Sequence, residues 1–538
     1  MSSLSDAVPS PLREMREWSL ATSRPYARPF VDVRVTATFT SPSGAVLAIE
    51  AFHDGDGVWK VRFNPGKAGM WTYAVASTPA NPDFAREGSF EVTPRDTRGF
   101  LRSTPGTGWG FTFESGDPVF ILGDTVYHLF GMAHNSSEGP AEVRAFMERR
   151  AAQGFNLLRI RLPVSYFHPV DGYNVWQTTR LWPWGGSEQS PRFDQFDLPY
   201  FRTVDRVVAW AEELGIGIEM IMEGWGNEFP FNRRDVFVAE WEELWLRYLV
   251  ARYDAFAAVW FWTLHNEYEY YPNGNWNYDA INTSCDLWAI RTGRLVREVA
   301  SHGHAIAIHN GPVTPSFGKR FAADPMAIDT VMFQTWGTTG EHDAWLAAGI
   351  EETIERSLGD WPGTAVFSEY GYEFNPDLPP LMLGHQYCGP DHTRRGAWRG
   401  AFRSLGVVHG FENSWGPFQI LDEDQPGLPS LLHLNAFFTE VVDFAALRPA
   451  DDLLEDGEDR PGYAPLALAT ADRSTIAVYF PAGGDAGLTI DLARHTGRWF
   501  DPRTGVIHEA NPGPTGRFLA PADVTAEHPD DWVLLLRR

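Results

Sequence analysis

The sequence predicts an α/β protein: a (β/α)8 TIM barrel flanked by an N-terminal and a C-terminal β-sandwich. Three observations lead there. The middle of the chain alternates eight short apolar runs with amphipathic helical stretches, as parallel strands each followed by a helix would. Both ends carry short period-2 runs broken by Gly, Asp, Asn and Pro, as antiparallel sheets would. The chain has 538 residues and 43% hydrophobic content, too long for one core, since single cores stop growing near about 250–300 residues. The expected division is 1–98 for the first sandwich, 99–447 for the barrel, and 448–538 for a linker and the second sandwich.

Taken in order, VDVRVTATFTSP, AVLAIEAFHDGDG, VWKVRFNPGKAG, MWTYAVAST and GSFEVTP fill the region from Phe30 to Val92. Barrel strands are expected at VFILGDTVYHL (119–129), FNLLRIRLP (155–163), IGIEMIMEG (216–224) and AVWFWTLHNE (258–267). AIAIHN (305–310), TVMFQTWG (330–337), TAVFSEYG (364–371) and GVVHGFENSWG (406–416) complete the eight. Helical stretches such as PYFRTVDRVVAWAEELG separate them, and several end in Gly, as helix C-termini do. The barrel exceeds the typical length of about 250 residues, and long βα-loops account for the surplus. RPADDLLEDGEDRPG reads as an acidic, Pro-bearing linker. APLALATA, TIAVYFPAGG, LTIDLA, GRWFDPRTG and DWVLLLRR then resume the sandwich pattern.

Charge and composition narrow the partners. The chain has 44 Lys+Arg against 70 Asp+Glu, a net charge of −26. This argues against nucleic acid or an anionic membrane, both of which need a cationic face. Cys285 and Cys388 are the only cysteines, so there is no disulfide framework and no cysteine zinc spacing. The first 30 residues hold no apolar secretory core and no window has 18 uninterrupted apolar residues. The expectation is a cytoplasmic protein without a cofactor, for which a homo-oligomer stays open. Aromatic content is 14%, with 22 Trp, 17 Tyr and 36 Phe. Those rings either fill large cores or face a flat apolar ligand.

In such a barrel, chemistry sits at the C-terminal strand ends. There the sequence places Asp124, Tyr127 and His128, then Arg159 and Arg161, Glu223, and His265-Asn266-Glu267. His309 and Asn310, Trp336, Glu369 and Tyr370, and finally Glu412, Asn413 and Trp415 follow. Glu267 and Glu369 stand out, each ending an apolar run abruptly. Glycoside cleavage needs two carboxyl groups facing each other across an anomeric carbon, one a nucleophile and one a proton donor. Asn266 could hold a substrate hydroxyl, and Tyr370 or a neighbouring ring could orient Glu369.

These motifs carry a resemblance. NE closing strand 4, Glu closing strand 7, GFNLLRIRLP on strand 2 and Trp after strand 8 look like the large retaining glycosidase clan with (β/α)8 catalytic domains. The resemblance implies Glu267 as acid/base, Glu369 as nucleophile and Arg159 as the strand-2 arginine. GWGFTFESGDPVFILGDTVYHLF resembles the start of the apiosidase-like barrel family. VRFNPGKAGMWTYAVAST is similar to a β-sandwich of unknown function that precedes that barrel, and GRWFDPRTG to an appended sandwich labelled collagen-binding. Asp124, in LGDTVYH, then corresponds to a substrate-hydroxyl ligand.

Plainer readings stand beside these. Glu223 and Glu412 serve equally as partners of Arg159 or Arg161. His128, His265 and His309 could ligate a metal, but no HExxH spacing appears and hydrogen bonding to sugar hydroxyls fits better. Trp260 and Trp262 belong to the core, while Trp336 and Trp415 suit the floor of a sugar site. Two loops look aromatic: Tyr166, Phe167, Tyr173, Trp176, Trp182 and Trp184 after strand 2, and Tyr268, Tyr270, Tyr271, Trp276 and Tyr278 after strand 4. Rings there would stack on sugar faces. The function expected is retaining, exo-acting hydrolysis of an oligosaccharide or glycoside. The alternatives are a transglycosidase on the same scaffold and a non-catalytic carbohydrate-binding protein.

Overall fold

The computed structural model describes residues 9–163, 181–226, 228–275, 284–311, 315–336, 345–374, 388–411, 414, 421–455, 462–513 and 516–538. Eight parallel strands close into a barrel: β1 (Leu122–Thr125), β2 (Leu157–Arg161), β3 (Gly217–Trp225), β4 (Val259–Asn266), β5 (Ala305–His309), β6 (Thr330–Gln334), β7 (Thr364–Glu369) and β8 (Gly406–Phe411). Closure is direct, with Leu122 opposite Val407 and Asp124 opposite His409. Seven lie within the expected runs, and β3 runs one residue past its own, to Trp225. Around them stand α1 (Leu129–Asn135), α2 (Gly139–Ala152), α3 (Leu198–Leu214), α4 (Ala239–Tyr253), α5 (Ser284–Val299), α6 (Phe317–Arg320), α7 (Ile350–Leu358), α8 (Pro390–Ala401) and α9 (Leu428–Ala436).

The local chemistry is visible in α3. Asp197 caps it by accepting the Tyr200 N–H, a proline sits in its first turn, and Gly215 ends it at φ 72°. Its buried face, with Tyr200, Val204, Val207, Val208 and Ala211, packs on the barrel. Inside the barrel floor, Leu157, Trp260, Phe261, Met332, Val366 and Val408 form one cluster. A hairpin, Leu101–Ser103 with Phe111–Phe113, stoppers that end, setting Phe111 against Phe261 and Phe113 against Trp260. The other end is left for chemistry.

Two sheets form the N-terminal sandwich. One runs in the order Ser10–Pro11, Arg86–Thr93, Gly69–Thr78, Arg34–Thr40, Val46–Glu50; the other Arg16–Ala21, Val58–Phe63, Phe52–His53. Trp18, Phe39, Phe63, Trp71 and Phe90 fill its core, with Phe39 stacked on Phe63 at 4.2 Å. It therefore begins before Phe30, since Arg16–Ala21 supplies a strand. The C-terminal sandwich has a six-stranded sheet and a small second one, Asp485–Ala486 with Phe518–Leu519.

The acidic linker needs correction. Arg448–Pro449 is an edge strand of the six-stranded sheet, and the Asp451 carboxylate accepts the Ala467 N–H at 2.7 Å. Leu447, Ala450 and Leu453, three residues apart, are buried. Net charge masked that apolar spacing. Only 456–461 lie outside the described residues.

Both sandwiches are bolted to the barrel by charge. Arg62 reaches Asp205 of α3 through both Nη atoms, at 3.0 and 2.9 Å, and donates to the Arg252 carbonyl at 2.7 Å. Asp531 of the second sandwich accepts Arg394 of α8 at 2.8 Å and the Tyr479 hydroxyl at 3.0 Å. Among the described residues no helix is long and apolar enough to cross a membrane.

Candidate active site

Glu369 reaches the barrel mouth by way of an irregularity. Phe333 lies opposite Phe367, but Gln334 lies opposite Glu369, so Ser368 is an extra residue in β7. Such a bulge reverses the in–out alternation beyond it. Glu369 is thereby turned to partners from four other parts of the barrel. Its Oε2 accepts Arg159 Nη1 at 3.0 Å and the Tyr127 hydroxyl at 3.3 Å. Its Oε1 accepts the Gln334 amide, and His309 Nε2 stands 3.6 Å from Oε2.

Arg159 organises the rest. Fully buried, it gives Nη1 to Glu369 and Nη2 to Asn266 Oδ1 at 2.5 Å. One planar guanidinium thus fixes both the strand-7 carboxylate and the residue before Glu267. Beneath it, Glu219 Oε1 lies 3.6 Å from Arg159 Nε and accepts the Thr263 hydroxyl at 2.9 Å. Burial pushes the Glu219 carboxyl above its ordinary range, against the pull of Arg159. With Oδ1 taken by Arg159, the Nδ2 of Asn266 is the donor left for a ligand.

Glu267 follows at φ 55°, ψ 61°, a left-handed conformation that costs a non-glycine residue about 1–2 kcal/mol. It breaks the strand there and swings the chain across the mouth. Its backbone N–H is donated to His309 Nδ1 at 3.4 Å, which leaves the ring hydrogen on Nε2, facing Glu369. Burial and the charges of Arg159 and Arg161 hold His309 well below its usual pKa, so the ring is neutral. One imidazole therefore touches the backbone of one glutamate and faces the carboxylate of the other.

Around this pair, a hydroxyl chain runs from Tyr372 to Tyr127 at 3.1 Å and on to Glu369. Trp336 packs edge-on against Tyr372 at 5.7 Å. Arg161 stacks its guanidinium on Tyr127 at 3.8 Å. His128 is buried nearby, its pKa pushed down to about 3 by burial and by Arg161. The expected residues brought together are thus Glu267, Glu369, Arg159, Asn266 and His309, with Trp336 and His128 at the edge. Trp415, Glu412 and Asn413 lie outside the described residues.

Two expected ligands are corrected. Asp124 points outward, into a buried pair with Arg150 of α2 at 2.7 Å; on β1 it is Gly123 that faces inward, against Val408 and Leu157. Tyr370 also points outward, packed on Phe367 at 4.9 Å and on His409 at 5.0 Å. Having turned Glu369 in, the bulge turns its neighbour out. Orientation of Glu369 falls instead to Tyr127. Glu223 pairs with Arg234 at 2.5 Å, not with Arg159 or Arg161, and burial pushes its pKa to about 8.

The aromatic loops divide differently from the expectation. Trp184 is buried beside Trp245 at 4.7 Å, Trp182 stacks on Phe229, and Tyr271 stacks on Trp288 at 5.1 Å. Tyr268 is buried with its hydroxyl on Asp286. Tyr270 is half-buried. Tyr166, Phe167, Tyr173, Trp176, Trp276 and Tyr278 lie outside the described residues. Sequence reasoning passed over Gln334 and Tyr372. Gln334 had a signal, a polar side chain ending the run TVMFQ; Tyr372 lay beyond its strand and had none. Among the described residues no three His, Cys, Asp or Glu side chains gather as a metal site.

A family model described as "Apiosidase-like, catalytic domain" matches residues 109–425, more than half of the chain. The chain belongs to the apiosidase-like family. A domain of unknown function, DUF5060, matches residues 14–78 ahead of the apiosidase-like barrel, and a "Putative collagen-binding domain of a collagenase" matches 449–537 behind it. Among solved structures, a "putative glycoside hydrolase" from Bacteroides vulgatus ATCC 8482 is similar at 18% identity, TM-score 0.70, over 98% of this chain and 99% of its own. A glycoside hydrolase family 5 structure from the same organism is similar at 17% identity, TM-score 0.58, over 82% of this chain and 94% of its own. At these identities the likeness is one of fold. No curated protein matches. The apiosidase-like barrel is a glycosidase catalytic domain with a sandwich on either side.

Proposed function

We propose that the protein is a retaining, exo-acting glycoside hydrolase that works by double displacement on an oligosaccharide or glycoside. Glu369 attacks the anomeric carbon while Glu267 protonates the departing oxygen. Glu267 then takes a proton from water, which displaces Glu369 and releases the sugar. The observation that carries this reading is Arg159, which holds Glu369 with one Nη and Asn266 with the other. That fork fixes the nucleophile in the same frame as the strand end from which Glu267 departs. Tyr127, Arg159 and Gln334 all donate to Glu369, so the carboxylate is presented as an oriented anion. Glu267 has the left-handed backbone that lifts it off the strand, as a group shared between leaving oxygen and water needs. Asn266 Nδ2 suits a hydroxyl beside the reacting carbon.

The two glutamates are told apart by azide rescue on an aryl glycoside. Glu369→Ala with azide should yield a glycosyl azide of inverted configuration, and Glu267→Ala one of retained configuration. Loss of the acid/base group should cost on the order of 10²–10⁴-fold in turnover. Undiminished turnover by either variant, or the same azide anomer from both, contradicts the assignment.

A further inference from the structure

On the outer flank of the barrel, α4 presents Trp241, Leu244, Tyr248 and Ala251 at helical spacings of three and four. Between that face and the N-terminal sandwich lies a cavity of about 330 Å³, within the range of small-ligand sites, which favour domain seams. Phe30, Phe52, His53 and Trp59 form the sandwich wall. No residue of the barrel mouth takes part. Arg62, Asp205 and Arg252 tie the two walls together beside the cavity, and walls already tied lose less to ordering when a ligand enters.

Three independent features point to an occupant. His53 is 8% exposed and lines the cavity, and among the described residues its buried Nδ1 makes no hydrogen bond of good geometry; buried polar atoms are normally satisfied. Trp241 is half-buried, and among the described residues it has neither a ring neighbour nor a partner for its indole N–H. Its ring is a platform with a donor at one end. The charged lining comprises Glu50, Glu240 and Glu243 against Arg34 and Arg247. Arg247 is already taken by Glu50 at 2.5 Å and Glu243 at 2.7 Å. An anion would meet the excess of carboxylate, and a large apolar ligand would strand those polar groups. A neutral polyhydroxylated ligand with an apolar face satisfies all of them.

We propose that this seam cavity is a carbohydrate-binding site separate from the barrel mouth, in which one sugar residue stacks on Trp241 and gives a hydroxyl to His53. The choice of a sugar rests on the glycosidase reading of the barrel. Burial holds the His53 pKa below its usual value, which keeps the ring uncharged at neutral pH and suited to such a hydroxyl.

The test uses the intact chain with cellotriose, mannotriose, xylotriose and arabinotriose, titrated calorimetrically into wild type and Trp241→Ala. For at least one saccharide, wild type should show a binding event that Trp241→Ala weakens by about tenfold or more, and His53→Ala should weaken the same event. A crystal soaked with that saccharide should show it between Trp241 and Trp59. Trp241→Ala should melt normally and keep its kcat/KM on a small aryl glycoside. If none of the four saccharides shows Trp241-dependent binding, the proposal is overturned, whatever the turnover. Absence of turnover with Trp241-dependent binding would instead remove the barrel mechanism and leave the cavity site standing.

Discussion

Tyr127 and Tyr370 mark the difference between what adjacency in sequence suggests and what geometry selects. Tyr370 neighbours Glu369, yet its hydroxyl is buried on the outer side of the barrel, without a partner among the described residues. Tyr127 is distant in sequence and donates to the carboxylate at 3.3 Å. Tyr127→Phe should therefore lower kcat by on the order of 10–10²-fold, the scale of losing one hydrogen bond to a charged group, with KM little changed. Tyr370→Phe should leave both parameters within about twofold, since the removed hydroxyl had no hydrogen bond to lose. Steady-state kinetics on one aryl glycoside compares them directly, and a larger loss in Tyr370→Phe would overturn the assignment. The polar residues ending apolar runs, Arg159, Asn266, Glu267, His309 and Glu369, were legible because such a switch has no packing rationale. Asp124 shared that signature but serves a buried ion pair, because alternation on a strand gives no sign of which face is the mouth.

At the scale of elements, the β7 bulge is the feature that sequence could not reveal. Counting alternate residues from Val366, which lies in the barrel interior, would send Glu369 outward. Beyond the bulge, Tyr372–Glu373 adds a short parallel pairing to β8, with Tyr372 opposite Gly410. Glu373 is fully buried, accepting the Thr393 hydroxyl and the Gly427 N–H, each at 2.7 Å. Burial pushes its pKa from 4.5 to about 7. A carboxyl with a raised folded-state pKa keeps its proton while the unfolded chain releases its own. Stability therefore falls as pH rises through the window from 4.5 to about 7. Between pH 5 and 8 the wild type should lose about 2–3 kcal/mol more than Glu373→Gln in urea unfolding. Equal losses would show that Glu373 does not titrate in that window.

On the scale of the whole molecule, the division into sandwich, barrel and sandwich was legible because period 2 and the β/α alternation are carried by dozens of residues. The seams were not, since they depend on single charges meeting across distant segments. Arg62 is such a charge, buried between Glu17, Asp205 and the Arg252 carbonyl. Arg62→Ala should destabilise the chain by about 1.5–3 kcal/mol, because Asp205 keeps Arg252 but loses its second guanidinium, and the Arg252 carbonyl loses its donor. A change below about 1 kcal/mol in urea unfolding would refute its role as the bolt between sandwich and barrel. The abundance of rings resolves similarly: Trp184, Tyr268 and Tyr271 serve packing around the barrel, while Trp336 packs on Tyr372, whose hydroxyl joins the Tyr127 chain to Glu369. Everything converges on two glutamates held in one frame by Arg159 and His309. The most direct measurement is proton NMR of the anomer first released when wild type cleaves an aryl glycoside. The account predicts a product of retained configuration; a product of inverted configuration would contradict it.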